Sequence, residues 1–322
     1  MSDETKTILP SILDAIGDTP LVALDRIGSG LPGRVLLKIE YFNPGFSVKD
    51  RIALKIVEDA ERAGKLRPGG TVVELTSGNT GTGLAIVCAV KGYRLIAVMS
   101  EGNSVERRRM LRALGADVEL VPQAGGAHPG QVSKEDLELV ERRAEELTTQ
   151  LGAFRADQFH NLSNVQAHEL TTGVEIWEQT GGKVDVFVGT VGTAGTFMGV
   201  ARALKKRRPE VRAFAVEPAS AAILAGRQVV DTRHKIQGAG YAMIPPLWDP
   251  AFCDGYIGIA DDEAIDTARQ LAREEGVFAG FSTGANVAAA LRLAQSAAPG
   301  TLIVTTANDS GLKYLSTDLF PA

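Results

Sequence analysis

The chain has 322 residues, 44% hydrophobic, 23% charged and 6% aromatic; this excludes a disordered chain and a disulfide-stapled miniature, and predicts two packed domains of roughly 100–200 residues each. Thirty-four Lys and Arg against 39 Asp and Glu leave a formal net charge of −5, so there is no cationic footprint for a nucleic-acid backbone or an anionic membrane, and small molecules are the expected partners. The two cysteines, Cys88 inside the apolar run 84–90 and Cys253, suggest a reducing compartment rather than a disulfide framework. The acidic start Met1–Lys6, and the glycines at 189, 192, 195 and 199 within the uncharged stretch 187–201, predict a cytoplasmic protein with no membrane span.

Short β-branched runs alternate with amphipathic stretches ending in glycine, the pattern of parallel sheets covered by helices on both faces. The first series runs through a strand at Arg34–Glu40, a helix from about Ser47 to Ala63, a strand at Thr71–Leu75, a helix from about Asn79 and a strand at Arg94–Met99. A helix near Val105–Leu114 and a strand at Asp117–Val121 complete it. The segment 123–130, with three glycines and a proline, reads as a loop. A long amphipathic helix then starts near Ser133, its apolar stripe Leu137, Val140, Ala144, Leu147 and Leu151 stepping by three or four. The second series has a strand at Val184–Gly189, a helix from Gly195 to about Lys206 and a strand at Val211–Val216. Helices opening at Asp262 and near Thr283 and a strand at Thr301–Thr305 follow. The basic run Lys205-Lys206-Arg207-Arg208 closes a helix before Pro209, where cations suit the C-terminal carbonyls. Open parallel sheets bind ligands beyond the carboxyl ends of their strands, so the loops after Leu75, Gly189 and Val216 are expected to carry the site.

Four constellations could carry chemistry. Asn43-Pro44-Gly45-Phe46-Ser47-Val48-Lys49-Asp50-Arg51 places Lys49 on the first turn of a helix capped near Ser47. The positive helix end and burial would both push its amine toward the neutral, nucleophilic form, although a snorkelling surface lysine fits the same residues. Thr76-Ser77-Gly78-Asn79-Thr80-Gly81 opens a helix with amides and hydroxyls suited to a carboxylate, the alternative being a purely structural turn. A dinucleotide loop built on Gly81 and Gly83 fails at the third glycine, where Ile86 stands. Gly189-Thr190-Val191-Gly192-Thr193-Ala194-Gly195-Thr196 reads as a second anion pocket, sized for a phosphate, or as a close helix–strand contact; it lacks the Gly-Lys-Ser/Thr ending of a nucleoside-triphosphate loop. In Gly280-Phe281-Ser282-Thr283-Gly284, Ser282 is either a helix cap or a neutral partner for a ring nitrogen. The histidines 128, 160, 168 and 234 are too scattered for a metal site, His168 reading as a packed or solvated residue, and no Gly-x-Ser-x-Gly elbow occurs.

Together these motifs resemble the fold-type II pyridoxal-phosphate enzymes of the cysteine synthase and cystathionine β-synthase family. The likeness runs from Ile16-Gly17-Asp18-Thr19-Pro20-Leu21 through Lys235-Ile236-Gln237-Gly238-Ala239-Gly240 to Lys313-Tyr314-Leu315-Ser316-Thr317. It implies an α/β, tryptophan synthase β-like fold of two doubly wound parallel-sheet lobes. A smaller mobile domain would span 45–155 and a larger domain 1–44 and 156–322. It also implies that Lys49 carries the Schiff base to pyridoxal 5'-phosphate, that Asn79 touches the ring oxygen, that Gly192, Thr193, Ala194, Gly195 and Thr196 hold the phosphate, and that Ser282 faces the pyridine nitrogen. Thr76, Ser77, Asn79 and Thr80 would bind the substrate carboxylate, with Gln158 reaching it from the other lobe.

The implied reaction is β-replacement on an activated L-serine, O-acetylserine-like, by sulfide or a thiol through an aminoacrylate, giving L-cysteine or a related β-substituted alanine. Condensation of serine with homocysteine and serine/threonine dehydration are the alternatives, and a homodimer is implied. Two positions and one stretch depart from the family pattern. Ala194 replaces a usual glycine, the stretch 99–104 lacks the usual proline and methionine pattern, and Tyr241 resembles the cystathionine β-synthase version. Asn103 and Tyr241 therefore bear on the choice of substrate.

Overall fold

The computed structural model describes residues 8–125, 132, 134–241 and 243–321. The expected start at 1–6, most of the expected loop at 123–130, the helix start at Ser133, His128 and Ala242 lie outside them.

Two sheets organise the chain. The smaller has the order β5-β4-β3-β6, with β3 (Thr71–Leu75), β4 (Arg94–Ser100), β5 (Asp117–Val121) and β6 (Phe154–Arg155) all parallel. Alternation along β3 and β4 sends Val72, Leu95, Ala97 and Met99 to one face and Val73, Ile96 and Val98 to the other. Both faces are apolar because both are covered. On the first lie α1 (Lys49–Arg62), α2 (Asn79–Lys91) and α3 (Val105–Ala113), through Ile52, Ile56, Leu84 and Leu111. On the second lies α4 (Lys134–Leu151), through Val140, Ala144 and Leu147.

The larger sheet has the order β1-β2-β10-β7-β8-β9. Its strands are β1 (Leu21–Ala23), β2 (Arg34–Ile39), β7 (Val186–Thr190), β8 (Arg212–Pro218), β9 (Gly255–Ile259) and β10 (Leu302–Ala307). All pairings are parallel except β1 with β2. One face packs on α9 (Phe281–Gln295), whose small Ala285, Ala288 and Ala289 bring it close, and on α8 (Asp261–Gln270). The other packs on α7 (Gly195–Arg207), through Phe197, Met198, Ala201 and Leu204, and on α6 (Thr172–Gln179), through Ile176. Lys205, Lys206 and Arg207 fill the last turn of α7, as expected of a solvated helix end.

The helix α5 (Ser163–Leu170), which contains His168, packs against both α1 and α7 and so joins the two halves. The junction is reinforced by buried charge: Arg51 of α1 pairs with Glu40 just after β2 and with Glu175 of α6, and Lys38 pairs with Glu175. These cations hold the Glu175 carboxyl down to about 2 despite its burial. Among the described residues no helix is long and apolar enough to cross a membrane, and no group of side chains suits a metal ion.

Candidate active site

Lys49 is the first residue of α1. The structure caps this helix at Val48 with no side-chain hydrogen bond, whereas the sequence suggested Ser47; Ser47 Oγ instead accepts from the Lys49 amide at 3.3 Å. The loop before α1 zips antiparallel to the segment after β10. Val48 N donates to Asn308 O at 2.8 Å, Ser310 N to Phe46 O at 3.2 Å, and Ser47 pairs with Asp309. This sets the Lys49 amine in a cavity that Asp309, Asn308, Asn79, Ser282 and the loop 192–196 also line. Burial lowers the ammonium from 10.5 to about 8, with the Asp309 carboxylate opposing the shift.

The carboxylate loop opens α2. Gly78 is the N-cap and offers no side-chain acceptor, while Thr76 Oγ1 takes the Gly81 amide at 2.9 Å. The first backbone bond of this turn runs from Thr82 N to Gly78 O. The Asn79 and Thr80 amides precede it, so helix geometry leaves them without an intrahelical acceptor. Thr80 Oγ1 donates to Gln158 Oε1 at 2.7 Å, and Arg107 of α3 donates to Ser77 Oγ at 3.3 Å and to Gln237 Oε1 at 2.7 Å. Gln158 lies three residues beyond β6 of the smaller sheet, and its backbone carbonyl accepts from Asn164 Nδ2 at 2.7 Å.

The loop between β7 and α7 wraps tightly. A Cβ on Gly192 would overlap the Gly238 carbonyl oxygen, and one on Gly195 would overlap the Asn164 side chain, so only glycine permits these approaches. Ala194, the N-cap of α7, adopts φ 71 with no side-chain cap, which leaves the first amides of α7 to an outside acceptor. Thr193 Oγ1 accepts from Asn164 Nδ2 at 2.9 Å, and Thr196 Oγ1 lies 3.1 Å from His168 Nε2. Phe46, Asp157 and Ala194 are non-glycine residues at positive φ beside the site, the kind of backbone strain that gathers where function over-determines structure. Ser282, one residue inside α9, is buried; its Oγ accepts from Asn308 Nδ2 at 3.2 Å, so its own proton remains to donate.

The structure thus gathers Lys49, Asn79, Ser282 and the whole 192–196 loop on one cavity, whereas Thr76, Ser77, Thr80 and Gln158 are not among its lining residues; Thr80 is bonded to Gln158, Ser77 to Arg107 and Thr76 to the Gly81 amide. The loop directly after β8 is not among the lining residues; Gln237 and Gly238, further along the chain, are. Asp309 gave no sequence signal, and the likeness that runs through Lys313 and Tyr314 assigned neither residue a role. Asp309 accepts from Asn79 Nδ2 and from the Tyr314 hydroxyl, each at 2.7 Å, and Lys313 reaches Gly45 O at 2.9 Å and Asn79 Oδ1 at 2.5 Å. Asn164 and His168 are polar residues on a helix of weak periodicity, and nothing short of three-dimensional packing marks them as supports of the loop.

The family model described as pyridoxal-phosphate dependent enzyme matches residues 12–309. The chain belongs to this family. It is 43% identical over 311 residues, 96% of both chains, to a cysteine synthase of Staphylococcus aureus. Among solved structures, an O-ureido-L-serine synthase superposes with a TM-score of 0.89 at 45% identity, covering 98% of this chain and 96% of that one. The O-acetylserine sulfhydrylase isoform 3 of Entamoeba histolytica gives 0.91 at 38% identity, covering 99% and 94%. The fold is accordingly the α/β fold-type II architecture, and the chain is a pyridoxal-phosphate-dependent enzyme. Its residues suit that cofactor. The cavity combines an amine of lowered pKa, a glycine-lined cradle rich in amides and hydroxyls, and a buried Asp309 Oδ1 without a hydrogen-bond partner among the described residues.

Proposed function

We propose that this chain catalyses β-replacement on an activated L-serine, with sulfide or a small thiol as nucleophile and L-cysteine or a related β-substituted alanine as product. The observation that carries the reading is Lys49, an amine with a pKa of about 8, on the same cavity as the 192–196 loop and Ser282. Pyridoxal phosphate, when bound, supplies an aldehyde for the Lys49 amine and an electron sink for charge developing at the substrate α-carbon.

Each residue then has a defined task. Gly192, Thr193, Ala194, Gly195 and Thr196 hold the phosphate through the open amides of α7 and their hydroxyls. Ser282, uncharged and with its proton free to donate, would hold the ring nitrogen as a neutral hydrogen-bond partner. Thr76, Ser77, Asn79 and Thr80 take the substrate carboxylate at the N-terminus of α2, where the helix dipole favours an anion, and the Gln158 amide closes on it. Lys49 Nζ, as a free amine, would accept the α-proton of the bound amino acid; its lowered pKa makes that free amine accessible near neutral pH. The Asp309 carboxylate orients Asn79 and stabilises the protonated Lys49 after that transfer.

The smaller domain, 45–155, is proposed to close over the substrate and exclude water; hydrogen exchange in the 76–80 loop should slow when substrate is added. A homodimer and a cytoplasmic setting belong to the same reading. The first is implied by the family resemblance, and the second is supported by two unbridged cysteines, of which Cys88 is buried and pushed up to about 12. A second reading takes an oxygen nucleophile of the hydroxyurea type, favoured by the 45% identity to the structure named O-ureido-L-serine synthase.

Serine, O-acetylserine and O-phosphoserine, each paired with sulfide, homocysteine or hydroxyurea, test the proposal by product analysis. Cysteine from an activated serine and sulfide is expected. Pyruvate and ammonia as the main products with sulfide present would overturn β-replacement in favour of dehydration.

A further inference from the structure

His168 of α5 is fully buried, 0% exposed, beneath the 192–196 loop, and its two ring nitrogens each meet one threonine hydroxyl. Nδ1 is 2.9 Å from Thr172 Oγ1 and Nε2 is 3.1 Å from Thr196 Oγ1. Helices α5 and α7 approach closely at this point: a Cβ on Gly199 of α7 would collide with the His168 Cβ. Burial and the nearby Lys49 and Arg51 cations hold the imidazolium well below its ordinary pKa, so the ring is neutral and carries one proton.

Only two proton arrangements suit a neutral ring between two hydroxyls. With the proton on Nδ1, the ring donates to Thr172 and consumes the Thr196 proton. Thr172 is itself fully buried, and among the described residues its hydroxyl has no other acceptor, so its proton would be stranded. Thr196 would meanwhile turn bare lone pairs toward the cavity it lines. With the proton on Nε2, Thr172 donates to Nδ1, Nε2–H donates to Thr196 Oγ1, and the Thr196 proton is released toward the cavity. Every buried donor is then satisfied except the one that faces the ligand.

We infer that His168 is a positioning residue, locked by Thr172 as the Nε2–H tautomer, which turns the Thr196 hydroxyl into a dedicated donor for the cofactor phosphate. The inference rests on the reading of 192–196 as the phosphate loop. It implies selectivity for an acceptor-only dianion, since a donor fixed from behind cannot reverse to accept from a protonated phosphate.

The test compares pyridoxal phosphate with pyridoxal, which lacks the phosphate, on the full-length chain freed of cofactor. His168→Gln keeps a donor at the Nε2 position, whereas His168→Asn keeps only the acceptor facing Thr172. We expect His168→Asn to weaken pyridoxal phosphate binding by about tenfold, His168→Gln to restore most of it, and neither to change pyridoxal binding. Equal losses for both ligands would mean a merely structural role and would overturn the inference. Should the buried substitutions fail to fold, ¹⁵N spectra of histidine-labelled wild-type and Thr172→Val chains read the tautomer directly. An Nε2–H signal in the wild type that becomes a mixture in Thr172→Val supports the lock, and a proton on Nδ1 in the wild type refutes it. A wild-type chain that binds pyridoxal phosphate no better than pyridoxal would instead refute the phosphate-loop reading.

Discussion

A lysine that must be a free amine near neutral pH is a quantitative proposition. Lys49 is lowered from 10.5 to about 8, and burial is the dominant cause. At pH 7 a pKa of 8 leaves about one amine in ten unprotonated, against about one in 3,000 at 10.5, a gain in nucleophilic fraction of about 300-fold. Trace labelling of the cofactor-free chain with an amine-directed reagent across pH 6–11, quantified by mass spectrometry of the Lys49 peptide against an added free-amine standard, reads this directly. The labelling rate should rise with pH and level off above about 8. The Asp309 carboxylate is the one group opposing the shift, so Asp309→Asn should move the inflection lower still. An inflection near 10 in the wild type, or an upward move in Asp309→Asn, would refute the electrostatic argument.

Three other perturbations probe the surrounding structure. Gly192→Ala forces a Cβ against the Gly238 backbone oxygen, which cannot swing aside; overpacking of this kind costs about 1–3 kcal/mol. Both the melting temperature and the affinity for pyridoxal phosphate should therefore fall, and wild-type values for both would mean the loop is not as tight as described. Ala194→Gly relieves a left-handed residue, φ 71, worth about 1–2 kcal/mol, but removes a buried methyl worth about 0.8 kcal/mol. Stability by urea titration should change by no more than about 1 kcal/mol, and a tenfold loss of cofactor affinity would contradict the geometry. Glu74 of β3 accepts from the Asp157 amide at 2.7 Å, and burial pushes its carboxyl from 4.5 up to about 7. The folded chain then holds a proton that the unfolded chain has released between those values. Stability should accordingly fall as pH rises through that window, by up to about 3 kcal/mol from this group. Glu74→Gln should flatten much of that slope in urea titrations from pH 4.5 to 7.5; Asp50, raised to about 6, contributes with the same sign and leaves a remainder. An unchanged slope would remove Glu74 as its source.

The elements readable from sequence were those whose local pattern and tertiary burial agree. Thr71–Leu75 and Asp117–Val121 stand at their expected bounds because short β-branched runs between covering helices have no competing conformation. β1, β6 and β9 escaped notice: the first two have three and two residues, and β9 carries two glycines in five positions, so each depends on its neighbour's ladder rather than on its own propensity. The buried face of α5 was hidden for a different reason. It includes Ser163, Asn164 and His168, polar residues that periodicity assigns to solvent; they are inside because Asn164 and His168 hydrogen-bond to the 192–196 loop and Ser163 Oγ donates to Asp59 of α1. The same logic divides the site. Loops that open helices after strands announce themselves through glycine and threonine spacing, whereas Asp309, Lys313 and Asn164 act across distances along the chain that no local motif records.

The central claim is that the amine of Lys49 is the covalent anchor of pyridoxal phosphate. Borohydride reduction of the loaded enzyme, followed by proteolysis and mass spectrometry, tests it most directly. A stoichiometric phosphopyridoxyl adduct on the peptide containing Lys49 is the predicted result. An adduct on Lys313, Lys38 or any other lysine, with the Lys49 peptide unmodified, would contradict the account.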